Sequence, residues 1–124
     1  MTSKNYLTID FGASNGRGLL GHFDGNTIHM EETYRFTNHL YSMSNTYFWD
    51  ILELMRHTKQ IISVSSTKSQ LDGIGIDTWG LDYGLLDAND NLLGNVISYR
   101  NSQSKYADAV CQIIPQKELF RRTG

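Results

Sequence analysis

The chain has 124 residues, enough for one domain that buries roughly two thirds of the surface its unfolded form exposes. Hydrophobic residues make up 40% of it, charged residues 19% and aromatic residues 11%, which excludes disordered, collagen-like and coiled-coil chains. Eleven lysines and arginines against thirteen acids leave a formal charge of −2, without the basic footprint of a nucleic-acid binder. The single cysteine, Cys111, cannot close an internal disulfide. No stretch approaches the roughly 20 apolar residues of a membrane span, and the first ten residues lack an apolar signal core. The expectation is a soluble cytoplasmic protein with no nucleic-acid or membrane partner.

No repeat, low-complexity tract or linker divides the sequence, so residues 1–124 read as one unit. Leu7, Ile9 and Phe11 alternate with Tyr6, Thr8 and Asp10, the pattern of a half-buried strand. Residues 12–16, Gly-Ala-Ser-Asn-Gly, form a turn by composition, and Arg17 to Phe23 returns as a second strand. Asp24-Gly25 signals a hairpin into a third strand, about Thr27 to Phe36. Residues 37–48 read as an irregular loop.

From Ile51 the apolar residues Ile51, Leu54, Met55, Ile61 and Ile62, with Thr58, fall on one helical face. Asp50 is the expected N-cap, Trp49 a packing anchor before it, and the helix extends to about Ser66. Ile74 and Ile76 alternate with Gly73, Gly75 and Asp77 as a short buried strand. Leu81 to Asp87 reads as another strand, residues 88–91 as its turn, and Leu92 to Tyr99 as extended chain. Gln103 to Ile114 has helical spacing, with Cys111 as a small core residue. Pro115 suits the first turn of a further short helix ending at Arg121 and Arg122. A helix between strands implies a mixed sheet with a parallel pair. Leu7, Ile9, Phe11, Ile74 and Ile76 are expected to be buried in that sheet under Ile51, Leu54, Met55, Ile61 and Ile62 of the helix.

Two stretches carry chemistry. In Asp10-Phe-Gly12-Ala13-Ser14-Asn15-Gly16-Arg17, an acid ends a strand and a glycine-rich turn offers amides, a hydroxyl and an arginine. Such amides suit an anion, Arg17 adds a charge-assisted contact to phosphate, and Asp10 can hold magnesium through water. The plainer reading is a tight hairpin whose glycines supply positive φ. It is neither a Walker A loop nor a dinucleotide fingerprint. The second stretch, Gly73 to Gly84, gathers Asp77, Thr78, Trp79 and Asp82 at a strand end, a mix that suits a polyol. Its plainer reading is a tightly packed strand–turn–strand unit with a half-buried tryptophan. The four histidines show no ligand spacing, and no nucleophile elbow or zinc-protease motif is present.

Taken together, these motifs resemble the N-terminal part of rhamnulokinases, within the FGGY family of carbohydrate kinases. The resemblance rests on residues 10–17, Arg35-Phe36, Trp49-Asp50, the run Gly75-Ile-Asp77-Thr-Trp79-Gly80-Leu-Asp82-Tyr, residues 85–87, Tyr99-Arg100 and Arg122-Thr-Gly124, in that order. It implies an α/β, ribonuclease-H-like mixed sheet with flanking helices, related to actin and the heat-shock ATPases. It also implies transfer of the ATP γ-phosphate to a ketose hydroxyl, with L-rhamnulose the nearest candidate. By the same resemblance Ala13, Ser14, Asn15, Gly16 and Arg17 line the ATP phosphates, Gly80 touches the sugar, and Asp10 sits near Mg2+ through water.

Two departures stand out. Where the family continues Tyr99-Arg100 with Asp-x-Arg, this chain has Asn101-Ser102-Gln103. Family members are also several times longer, and their general-base aspartate, in a His-Asp-Thr-type motif, falls beyond the position of Gly124, as do the adenosine-binding segments. The expectation is therefore part of an N-terminal kinase domain that continues past residue 124, inactive alone, with exposed apolar surface that favours self-association. The alternative is a non-catalytic remnant serving as a sugar-binding or interaction module.

Overall fold

The computed structural model describes residues 3–101 and 104–123. Five strands come first: β1 (Lys4–Phe11), β2 (Asn15–Phe23), β3 (Ile28–Thr37), β4 (Leu40–Met43) and β5 (Thr46–Trp49). Helix α1 (Ile51–Lys68), β6 (Gly73–Thr78), β7 (Val96–Ile97), α2 (Ser104–Ile113) and α3 (Gln116–Thr123) follow. The main sheet has the order β3-β2-β1-β6, and β4-β5-β7 make a second, smaller sheet. β1 pairs antiparallel with β2 and parallel with β6, so α1 is the crossover that the element order implies.

Local chemistry explains the first turns. The Asp24 carboxylate accepts hydrogen bonds from the amides of Asn26 and Thr27, and Gly25 takes φ 102°, which closes the β2–β3 hairpin. These bonds also hold the Asp24 carboxyl below its usual range. Helix α1 starts as expected, with Asp50 Oδ1 accepting from the Glu53 amide at 2.9 Å. At its far end Lys68 pairs with Glu31 of β3.

The core lies between α1 and one face of the main sheet, where Leu7, Ile9, Phe36, Leu54 and Ile61 are buried together. Glycine lets the helix approach. A Cβ on Gly18 would stand 2.4 Å from Ile61 Cγ2, and one on Gly16 would stand 2.3 Å from the Phe36 ring. The β2–β3 register shifts at Gly18–Leu19, leaving Thr33 without an opposite residue. The Thr33 hydroxyl meets the buried Ser65 hydroxyl of α1 at 2.8 Å.

Several expectations need correction. Ile74 and Ile76 pair with Leu7 and Ile9 yet remain 48% and 59% exposed, because α1 packs over β1, β2 and β3 and leaves β6 at the sheet edge. Phe11 is only partly buried, and Met55 is 52% exposed. Residues 40–49 are a hairpin rather than a loop. Ser44 (φ 49°) and Asn45 (φ 61°) both take left-handed backbone, the two-residue turn that suits strand twist. Leu81–Asp87 is no strand. It contributes one bridge, Leu86 to Leu92, around a turn tied by the Asp87 carboxylate to Asn89 and Asn91. Of the extended segment, Val96–Ile97 alone joins a sheet, beside β5. The helix expected from Gln103 runs over Ser104–Ile113, Gln103 itself lying outside the described residues. Neither α2 nor α3 carries a buried residue among those described, and Cys111 is half-buried rather than core.

Candidate functional site

Parallel pairing of β1 with β6 sets Asp10 beside Asp77 and Phe11 beside Thr78, so both strands end at one edge of the sheet. The glycine-rich turn leaves from β1 there, and Trp79-Gly80 leaves from β6. Carboxyl ends of neighbouring parallel strands are where open α/β sheets bind ligands. The two stretches singled out in the sequence therefore flank the same edge.

The turn is closed by the Gly12 amide, which donates to the Asn15 carbonyl at 2.9 Å. Asn38, which follows β3, braces it from outside. Its amide donates to Ser14 O at 3.0 Å and its Nδ2 to Gly12 O at 2.9 Å. Nothing in the sequence pattern marked Asn38 for this role. Among the described residues Gly25 is the one glycine at positive φ, so Gly12 and Gly16 do not serve left-handed backbone. They serve close approach: a Cβ on Gly12 would stand 2.6 Å from the Asn15 carbonyl oxygen, and Gly16 faces the Phe36 ring. That corrects the plainer reading of the hairpin.

Paired residues share a face, and the pairings Arg35–Arg17–Asp10–Asp77 form one row across the sheet, opposite the face that α1 covers. Arg17 Nε donates to Asp10 Oδ2 at 3.0 Å, with side chains 40% and 34% exposed. Arg35 Nη1 donates to Asn15 Oδ1 at 2.8 Å, tying the turn to β3, while its Nε and Nη2 grip Glu32. That grip holds the Glu32 carboxyl below its usual range. Two cations and three carboxylates thus stand beside the turn.

On the β6 side, Trp79 stacks on Trp49 with ring centroids 4.1 Å apart and planes 28° apart. Trp49 is 3% exposed, as expected of an anchor, and its Nε1 donates to Asp82 Oδ2 at 2.5 Å. Tyr99 lies against Trp49 at 6.3 Å. A Cβ on Gly80 would meet nothing within 4 Å, so space beside it is open. Asp82 also lines an open groove with Tyr83, Gly94 and Asn95. Asn101 uses its amide both ways, accepting from the Tyr47 amide at 2.7 Å and donating to Tyr47 O and Ser98 O at 2.8 Å each. An aspartate at residue 101, where the Asn101-Ser102-Gln103 departure begins, could not donate these two bonds. Ser102 and Gln103 lie outside the described residues.

The profile of the FGGY family of carbohydrate kinases, N-terminal domain, matches residues 5–124. The chain belongs to the FGGY family of carbohydrate kinases. A rhamnulokinase of Bacteroides thetaiotaomicron is 35% identical over 123 residues, covering 98% of this chain and 25% of that protein. One of Oceanobacillus iheyensis is 34% identical over 120 residues, covering 95% of this chain and 26% of that protein. Among solved structures, a gluconate kinase from Lactobacillus acidophilus superposes with TM-score 0.71 at 16% identity, over 90% of this chain and 23% of that one. A xylulose kinase from Rhodospirillum rubrum gives TM-score 0.71 at 14% identity, over 94% of this chain and 25% of that one. These likenesses place the fold with the actin and heat-shock ATPases. The chain spans about a quarter of the length of the relatives it matches. Among the described residues no helix is long and apolar enough to cross a membrane.

Proposed function

We propose that this chain supplies the phosphate-facing turn and part of the sugar wall of an ATP-dependent ketose kinase in the cytoplasm. L-rhamnulose is the favoured substrate, on the strength of the rhamnulokinase relatives. The observation that carries the reading is the register Asp10–Asp77, which brings the turn at residues 12–16 and the Trp79-Gly80 segment to one sheet edge. A phosphoryl donor and its acceptor must meet in such a place.

In this reading the amides of Ala13, Ser14, Asn15 and Gly16, with Arg17, hold phosphate oxygens of ATP, which supplies the γ-phosphoryl group when bound. The Arg17–Asp10 pair is partly exposed and contributes only about 0–1 kcal/mol, so a phosphate competes readily for the guanidinium. Arg35 keeps Asn15 oriented while that exchange occurs. No cluster of three or more metal-ligating side chains exists among the described residues. The carboxylates of Asp10 and Asp77 still fit magnesium, which uses one or two carboxylates and otherwise takes water and phosphate oxygens. Gly80 leaves the room a ketose needs.

In this reading the proton-accepting base and the adenosine pocket are supplied by residues other than these 124. Phosphoryl transfer needs electrostatic stabilisation from several sides at once, so the 124-residue chain alone is inactive. A coupled assay with ATP and L-rhamnulose tests both halves of this. A longer chain carrying the segment should turn over, and the isolated chain should not. Multiple turnovers by the isolated chain would refute the division of labour, and an inactive longer chain that still binds sugar would favour the non-catalytic module.

A further inference from the structure

Two segments distant in sequence converge beside Gly80. Trp49 closes β5, Trp79 follows β6, and Asp82 lies three residues further on. Trp49 is almost fully buried, and its one polar atom finds a single acceptor, Asp82 Oδ2. A buried indole N–H needs such a partner. The indole of Trp49 then supports Trp79 face to face. Trp79 is half-buried, so part of its ring system stays accessible, next to the open space at Gly80. Because β5 belongs to the small sheet and β6 to the main one, the stack also sets one sheet against the other.

We propose that Asp82 is a positioning residue for sugar binding: by holding Trp49 it fixes the Trp79 indole as an apolar platform for the C–H face of a ketose seated over Gly80. The inference rests on the sugar-kinase reading and adds to it how the sugar wall is held. A ketose presents hydroxyls at its rim and C–H bonds on its faces, and a rigid indole complements such a face while nearby polar groups address the rim. The platform works only if Trp79 cannot turn, and the chain from Asp82 through Trp49 to Trp79 supplies that rigidity.

The test uses a kinase containing this segment, with L-rhamnulose and D-xylulose as probes, and compares Asp82→Ala, Asp82→Asn and Trp49→Phe. Asparagine keeps an oxygen that accepts from Trp49 Nε1. Alanine removes the acceptor, and phenylalanine at residue 49 removes the donor while keeping a ring. Asp82→Ala and Trp49→Phe should each raise the sugar KM by about tenfold, with the ATP KM within about twofold, the scale of one hydrogen bond lost. Asp82→Asn should recover most of the wild-type affinity. Saturating sugar should shift the wild-type tryptophan emission, and Asp82→Ala should weaken that shift. Equal damage from alanine and asparagine would mean that the carboxylate meets the sugar itself, and would overturn the proposal. Equal rises in both KM values would reduce the stack to a structural joint and overturn it as well, as would a wild-type emission that ignores both sugars. A wild-type protein that phosphorylates neither sugar, yet shows the emission shift and its loss in Asp82→Ala, would refute the kinase reading while supporting the platform.

Discussion

Gly18 offers a direct measure of how closely α1 is pressed onto the sheet. In Gly18→Ala the new methyl would stand 2.4 Å from Ile61 Cγ2 and 3.1 Å from Thr33 Oγ1. Relaxed carbon–carbon contacts are about 3.5–4.0 Å, so about 1 Å of separation must be found. β2 is held on both sides, by β1 and β3, and Ile61 is fully buried, so neither partner yields cheaply. Overpacking of this kind costs about 1–3 kcal/mol, offset by about 0.4–1 kcal/mol from the stiffer unfolded chain. A net loss of about 1–2 kcal/mol is expected in urea unfolding followed by circular dichroism, with an unchanged m value. Ile61→Ala should cost about 2–5 kcal/mol by itself. In that background Gly18→Ala should be neutral or stabilising, because its methyl enters the space left behind, giving a coupling of about 1–3 kcal/mol. Gly75→Ala is the control: nothing lies within 4 Å of its Cβ, so it should lose no stability and gain up to about 1 kcal/mol from the stiffer unfolded chain. Equal costs for Gly18→Ala with and without Ile61 would refute the close-approach argument.

In a kinase containing this segment, Arg17→Ala should lower kcat by about 10²-fold or more, the size of a lost transition-state donor. Gly80→Val should instead raise the sugar KM more than the ATP KM, by filling the open space beside Trp79, and steady-state kinetics separate the two signatures. The isolated chain should self-associate, since Ile74, Ile76, Leu81, Tyr83, Leu85 and Leu93 are exposed, and sedimentation showing only monomer at high concentration would contradict this. Acid should destabilise the helix–sheet contact through two groups. Arg56 holds the Glu53 carboxyl down to about 2 from its ordinary 4.5, so its stabilisation is complete above about pH 4.5 and fades as pH falls towards 2. Burial, reinforced by the Arg56 charge against the opposing pull of Glu53, lowers the pKa of His57, which packs on Phe36 and meets the Tyr34 hydroxyl. The folded state then binds fewer protons than the unfolded chain, and stability drops as pH falls below about 6.5. Urea midpoints measured against pH should fall in both windows, Glu53→Gln should flatten the lower one, and a midpoint rising on acidification would refute the assignment.

Where the information is local, the chain order of residues is enough. The alternation of Leu7, Ile9 and Phe11 marks a strand, Asp50 marks the start of α1, and Asp24-Gly25 marks a hairpin, because each depends on backbone geometry within a few residues. The Ser44-Asn45 turn carried a local signal too, since both residues tolerate left-handed backbone, but the polar, aromatic stretch around it read as a loop. Burial of β6 was not legible. Ile74 and Ile76 have the pattern of a core strand, and whether anything covers them depends on where α1 crosses the sheet. The glycines of residues 12–16 were visible as glycines, but their purpose was set by the Phe36 ring and the Asn15 carbonyl. Arg17 reaches Asp10 because the turn length fixes the β1–β2 register, and Asp10 stands beside Asp77 because α1 returns the chain parallel to β1. The same holds for Trp49, Trp79 and Asp82, separated by up to 33 residues and joined by a stack and one hydrogen bond. Periodicity reports which face a side chain takes on its own element; which groups meet across elements is decided by register and packing, and those exist only in the folded chain.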